Sequence, residues 1–316
     1  MHKQSPPFDT KHVCRDLHNK SIHYNCDNVK SYTANQLGEA AHDAVVLEIE
    51  TAPKPGLVDA LSSGCHGDMD YATFLRSANA LRTYWKLPAE IGLRNIAPKD
   101  AMPELRSIGK EMETAMFAAT GGVNTHKGLI YHLSLLLYGA GYTLAQKKTF
   151  TAKEIMRCAS LPVAGSVENE LESLREKQRS SLTNGEKLFL KYGVTGARGE
   201  AERSFPSAQC GLETLLASLS RGAARNDASL AALLSIMAVC EDSNVIHRAG
   251  YDFWKNEYGA MVKNARDEFD PIRPDYEILH NLEKQFMPFR ISPGGAADLL
   301  SCSLFVNIVT NPTCQH

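Results

Sequence analysis

The sequence predicts an all-α protein: a single multi-helix globular domain over residues 36–316, preceded by a flexible tail, 1–35. Three observations carry this prediction. From residue 36 onward, apolar residues recur at helical spacing almost everywhere. No strand-and-helix rhythm or run of short β-branched segments interrupts that period. No internal repeat, low-complexity block or linker divides the chain after the tail, and 316 residues with 43% hydrophobic side chains suffice for one large core.

Taken in order, residues 1–35 are rich in His, Lys, Asn and Ser and lack an apolar period, so they read as a mobile tail. Cys14, His18, His23 and Cys26 offer four zinc-ligand types there, but their spacing does not match the usual paired pattern. Leu37, Ala41, Ala44, Val45, Leu47 and Ile49 give the apolar face of a first helix, ended by Pro53 and Pro55. Asp70 is placed to cap a helix over 71–86. Asp100 precedes a helix over 101–119, with Pro103 in its first turn and Gly121-Gly122 beyond its end. A long apolar helix follows at 126–145, and Thr151 with Glu154 forms a capping-box pattern that opens another. Further helical periods cover 167–180, 185–192, 207–220, 227–240, 251–268 and 275–287. Ser292-Pro293 reads as N-cap plus first-turn proline for a last helix to about 310.

Charge and cysteine content exclude some functions. With 34 Lys+Arg against 36 Asp+Glu, broad electrostatic binding of nucleic acid is not expected. Eight cysteines without a CxxC pair suggest buried free thiols in a reducing cytosol. The first 35 residues lack the apolar run of a secretory signal. The apolar stretch from Leu129 to Ala145 contains His132, Ser134, Gly139 and Gly141 and falls short of the roughly 20 residues of a membrane span. A cytoplasmic protein without membrane contact is the expectation.

Polar, glycine-rich junctions lie between the apolar helices: 48–59, 64–70, 121–128, 196–202, 241–244 and 292–295. Helix starts offer unpaired N–H groups and partial positive charge, which suits phosphate. Lys127 and Arg198 would add full charges. Each junction also has an ordinary reading as a cap, a turn or a surface ion pair of Arg198 with Glu200 or Glu202. The number of such junctions points beyond a plain bundle. Glu48, Asp59, Asp68, Asp242 and Asp298 are of the type that holds Mg²⁺ together with phosphates. His66 and His126 are candidate acids or bases.

Six strings in order carry a resemblance: Pro53–Asp59, His66–Met69, Gly122–Gly128, Thr195–Ala201, Asp242–Asn244 and Ser292–Leu300. Over about 36–310 the chain resembles the triphosphoribosyl-dephospho-CoA synthase family, which makes the prosthetic-group precursor of citrate lyase and malonate decarboxylase. Ser243, Ala249 and Ala296 stand where the family pattern has Thr, Gly and Ser. The resemblance implies transfer of the triphosphoribosyl group of ATP to the 2′-hydroxyl of 3′-dephospho-CoA, with release of adenine. It implies Mg²⁺ as cofactor, ATP and 3′-dephospho-CoA as partners, and a downstream carrier-protein transfer system. The roles it implies are Asp242, His126 and Glu200 in catalysis, and Glu48, Asp59 and Asp242 at the metal. Lys54, Asn124, Lys127, Arg198, Gly199, Asn244, Arg248, Ser292, Gly294 and Gly295 would bind substrate. A Mg²⁺-dependent hydrolase of nucleotide or ADP-ribosyl substrates, or a non-enzymatic helical adaptor, would use the same residue types.

Overall fold

A computed structural model describes residues 32–147, 149–171, 174 and 182–311. The zinc-type set at Cys14, His18, His23 and Cys26, and nearly all of the predicted tail, lie outside the described residues. Among those described there is no strand. Helix α1 spans Ala34–Glu50, opened by a capping box between Thr33 and Gln36, and Tyr32 stacks on Phe150. The folded body therefore starts a few residues before the predicted boundary at 36.

Asp70 caps α2, Tyr71–Leu81, through Thr73 N–H at 2.8 Å, as predicted. The single predicted helix to residue 86 is replaced by α2 and a separate α3, Lys86–Leu93. A turn between them buries Trp85 completely. α4 spans Pro98–Thr120, so Asp100 lies inside its first turn instead of capping it, and Gly121 closes it in the left-handed conformation. α5, Lys127–Lys147, and α6, Ala152–Ser160, follow, the latter with the predicted Thr151–Glu154 box.

The predicted helix at 167–180 is a π-turn over Val167–Leu171 in its described part; most of the remainder is outside the described residues. α7, Asn184–Tyr192, is capped by Thr183. Two helices the sequence hides come next to longer ones. α8, Gly196–Glu202, precedes α9, Pro206–Ser220, and α10, Arg225–Met237; α11, Ser243–Ala249, follows. The predicted helix at 251–268 is broken into α12, Tyr251–Phe253, a π-turn at Trp254–Tyr258, and α13, Gly259–Glu268. α14 is Tyr276–Phe286 and α15 is Gly294–Thr310.

α5, α10 and α15 are buried on nearly every face, so they form the centre of the core. α15 packs on α1, α5, α9 and α10, while α5 also packs on α3 and α6. Glycines set the closest crossings. A methyl group on Gly141 would lie 2.9 Å from Leu93 N, and one on Gly139 would lie 2.7 Å from Ala159 N. The glycines in the apolar stretch thus admit α3 and α6 almost to backbone contact. No described helix is long and apolar enough to cross a membrane.

Candidate active site

The starts of α5, α8, α11 and α15 open on one cavity of about 580 Å³. Of the predicted site residues, Glu48, Asn124, His126, Lys127, Arg198, Glu200, Asp242, Asn244, Arg248, Ser292, Gly294 and Gly295 line it. Lys54, Asp59 and Gly199 do not. Lys54 lies beneath the wall, donating to Glu48 Oε1 at 2.5 Å and to the Glu48 carbonyl at 2.7 Å. Asp59 accepts from Lys54, Leu61 and Ser62 N–H, all within 2.9 Å, and shapes its own loop. Gly199 sits inside α8, where a Cβ would run into Thr195.

The carboxylates divide by what already holds them. Asp242 does not stand with its side chain free, as a junction position suggests. Its Oδ1 accepts from Asn244 N–H at 2.9 Å and Val245 N–H at 3.4 Å, capping α11. Its Oδ2 accepts from Ala296 N–H at 3.1 Å in the first turn of α15, and Gly295 N–H also contributes. One buried carboxylate therefore ties two helix starts together. Burial raises its pKa, and the four N–H donors oppose that rise.

Glu200 accepts from Ser207 N–H and Oγ at 2.8 and 2.9 Å and from Ala208 N–H at 3.3 Å, capping α9 from the helix before. The possible Arg198 partner Glu202 accepts from Gly165 and Val167 N–H. Glu241 braces the start of α8 through Thr195 N–H and Oγ1, both at 2.9 Å. Glu48 is engaged by Lys54.

Asp298 differs from all of these. It lines the cavity one turn into α15, and no described donor reaches its carboxyl group. Its Oδ2 stands against Gly128, where any Cβ would collide with it. Desolvation, then the nearby Glu48 and Asp242, raise its pKa well above the usual carboxylate range. The Gly294-Gly295-x-x-Asp298 spacing carries the signal: it places the carboxyl one turn behind the glycines on the same helix face. Among the described residues, no three His, Cys, Asp or Glu side chains form a ready metal cage. Glu48 and Asp242 share the cavity, while Asp59 stays in its own loop.

Cations line the same cavity. They are Lys127, Arg198 and Arg248, with Arg203, which the sequence reading missed. Lys127 pairs with Glu113 at 2.8 Å, Arg203 donates to Thr195 Oγ1 at 3.1 Å, and Arg248 donates to the Arg290 carbonyl at 2.8 Å. These exposed contacts leave the charges in place for an anion. Asn124 Oδ1 accepts from Lys127 N–H at 3.2 Å, and Asn244 lies over Gly294, whose Cβ would sit 3.0 Å from Asn244 Nδ2. Ser292 is not the cap of α15; Pro293 holds that place, and Ser292 Oγ meets His66 Nε2 at 2.7 Å.

Two buried histidines complete the lining. His126 Nδ1 meets Ser77 Oγ at 2.6 Å, and burial, reinforced by Lys54, pushes its pKa down to about 3. It is neutral at pH 7 and is no reservoir of protons. His132, on the α5 face turned to the cavity, meets the Ala197 carbonyl at 3.2 Å, and burial pushes its pKa to about 4.

The family model for ATP:dephospho-CoA triphosphoribosyl transferase matches residues 34–315. The chain belongs to this family. A Streptococcus mutans relative, named "Probable 2-(5''-triphosphoribosyl)-3'-dephosphocoenzyme-A synthase", is 36% identical over 86% of this chain and 96% of its own length. A Vibrio cholerae relative of the same name is 35% identical over 85% of this chain and 87% of its own. No solved structure matches the chain. The triphosphoribosyl transferase family match begins at the first residue of α1 and spans every described helix, so the cavity is built wholly from the matched region. The protein is an enzyme, a transferase.

Proposed function

We propose that this cavity binds ATP beside 3′-dephospho-CoA, moves the triphosphoribosyl group to the acceptor's 2′-hydroxyl, and releases adenine. The observation that carries the reading is one cavity lined both by four cations and by the carboxylates Glu48, Asp242 and Asp298. Lys127, Arg198, Arg203 and Arg248 hold the triphosphate, helped by N–H groups at the start of α5. Glu48, Asp242 and Asp298 face the positive charge that develops on the ribose as its bond to adenine breaks. The bond from the acceptor oxygen to the anomeric carbon forms as the carbon–nitrogen bond breaks. The proton lost by the hydroxyl balances the one adenine gains.

Mg²⁺ fits these carboxylates. Asp298 is a desolvated carboxyl without a donor, next to two further acids, and Mg²⁺ commonly takes one or two carboxylates plus substrate phosphates. Asp298 with Glu48 would hold it, and it would supply neutralisation of phosphate charge. Calorimetric titration of ATP with and without Mg²⁺ tests this. The metal's contribution to ATP affinity should vanish in Asp298→Asn; an undiminished contribution would remove Asp298 from the metal site.

The product is read as the prosthetic-group precursor of citrate lyase or malonate decarboxylase, passed on through a carrier-protein transfer system. The demand for ATP supports a cytoplasmic setting. Supplying the purified product to each apo carrier with its transferase would discriminate the two destinations, and labelling of neither would contradict both.

A further inference from the structure

The hydrogen bonds around His126 favour one placement of its ring proton. Thr125 Oγ1 donates to Ser77 Oγ at 2.8 Å. Ser77, fully buried in α2, has one proton of its own, and His126 Nδ1 lies 2.6 Å away. When Thr125 donates to it, Ser77 is free to give its own buried proton to Nδ1. In that arrangement the neutral ring carries its hydrogen on Nε2. That Nε2 is buried and has no partner, although His126 is only 2% exposed and lines the cavity. A buried N–H donor left unpaired costs about 1–3 kcal/mol, so it points to an acceptor that arrives with the ligand.

The surroundings select the acceptor. Phe74 packs edge-on against the His126 ring, centroids 5.1 Å apart. Leu57, Val58 and Met69 belong to the same lining, whereas the arginines come from α8 and α11. An aromatic ring edge beside one directed N–H donor suits a purine base.

Resting on the transferase reading, we propose that His126, as a neutral donor through Nε2–H, recognises a ring nitrogen of the adenine of ATP, with Ser77 and Thr125 as positioning residues that lock its tautomer. The donor stabilises the electron pair that adenine takes as the glycosidic bond breaks. It transfers no proton; the leaving base is protonated from water.

The test is calorimetric binding of ATP and of its 1-deaza, 3-deaza and 7-deaza analogues, which replace one ring nitrogen each by CH. The wild-type protein should lose about ten-fold in affinity for one analogue, and His126→Ala should bind that analogue and ATP alike. Ser77→Ala should show a smaller version of the same loss of discrimination. Equal affinities in the wild type, or a penalty that persists in His126→Ala, would overturn the proposal. Nitrogen NMR of isotope-labelled histidine in the wild-type protein reads the tautomer without any variant; hydrogen on Nδ1 of His126 would also overturn it. Because binding is read without turnover, failure of the purine contact is distinguishable from failure to release adenine.

Discussion

At residue scale, Asp242 and Asp298 are both acids lining the cavity, yet they should answer opposite questions. Asp242→Asn keeps one acceptor oxygen but turns an NH₂ group toward backbone donors of α11 or α15. It should lose about 1–3 kcal/mol of stability together with activity, read as a lower melting temperature without ligand. Asp298→Asn removes an acid whose ionised form nothing compensates, so its ligand-free melting temperature at neutral pH should rise while turnover falls at least about 10²-fold. The sign follows from linkage. The folded protein holds the Asp298 proton more tightly than the unfolded chain, whose carboxyl titrates near about 3.9. Wild-type stability attributable to this group therefore falls as pH rises above that value, and the asparagine variant should lack this fall. A variant less stable than wild type at neutral pH would show that Asp298 is held by the protein after all. The importance of Asp242 was legible from its place before Asn244. Its double cap was not, because Ala296 is 54 residues away in the chain and the sequence shows only the nearer partner.

At the scale of elements, the long helices were legible where pattern and caps agree: Asp70 before α2, Thr151 with Glu154 before α6, Gly121 after α4. α8 and α11 escaped because each is seven residues long, too short to display a period, and α8 begins with glycine. These two helices carry Arg198 and Arg248, so the hidden elements are the ones that aim the cations. The break at Trp254–Tyr258 escaped because a π-turn adds a residue without altering the apolar composition. The crossing of α3 on α5 makes a sharp stability prediction. In Gly141→Ala the added methyl meets the α3 backbone, which cannot rotate away as a side chain can. The variant should lose about 1–3 kcal/mol in chemical denaturation, whereas Gly121→Ala meets open space and pays only for its left-handed backbone. Equal and negligible losses would contradict the close crossing.

At the scale of the molecule, the fold places acids and cations from distant parts of the chain around one space. α1 contributes Glu48, α5 Lys127, α8 Arg198 and α15 Asp298. The family match starts at residue 34, and the Thr33–Gln36 box closes the first helix on its own. Removal of residues 1–31 should therefore leave kcat/KM within about three-fold and the melting temperature nearly unchanged. A large loss in either would assign the leading segment a part in the folded enzyme. The six polar junctions announced a phosphate-handling cavity because together they gather glycines, cations and carboxylates. What each carboxylate does depended on donors from other helices, which no local string displays.

The central claim is that ATP is cut at its glycosidic bond while its triphosphate survives. Incubation of the full-length protein with ATP, Mg²⁺ and 3′-dephospho-CoA, followed by chromatography for free adenine, tests it most directly. Adenine should appear in step with a product carrying the acceptor and three added phosphates, and should be absent when 3′-dephospho-CoA is omitted. ADP or inorganic phosphate as the main product, without adenine, would contradict the account.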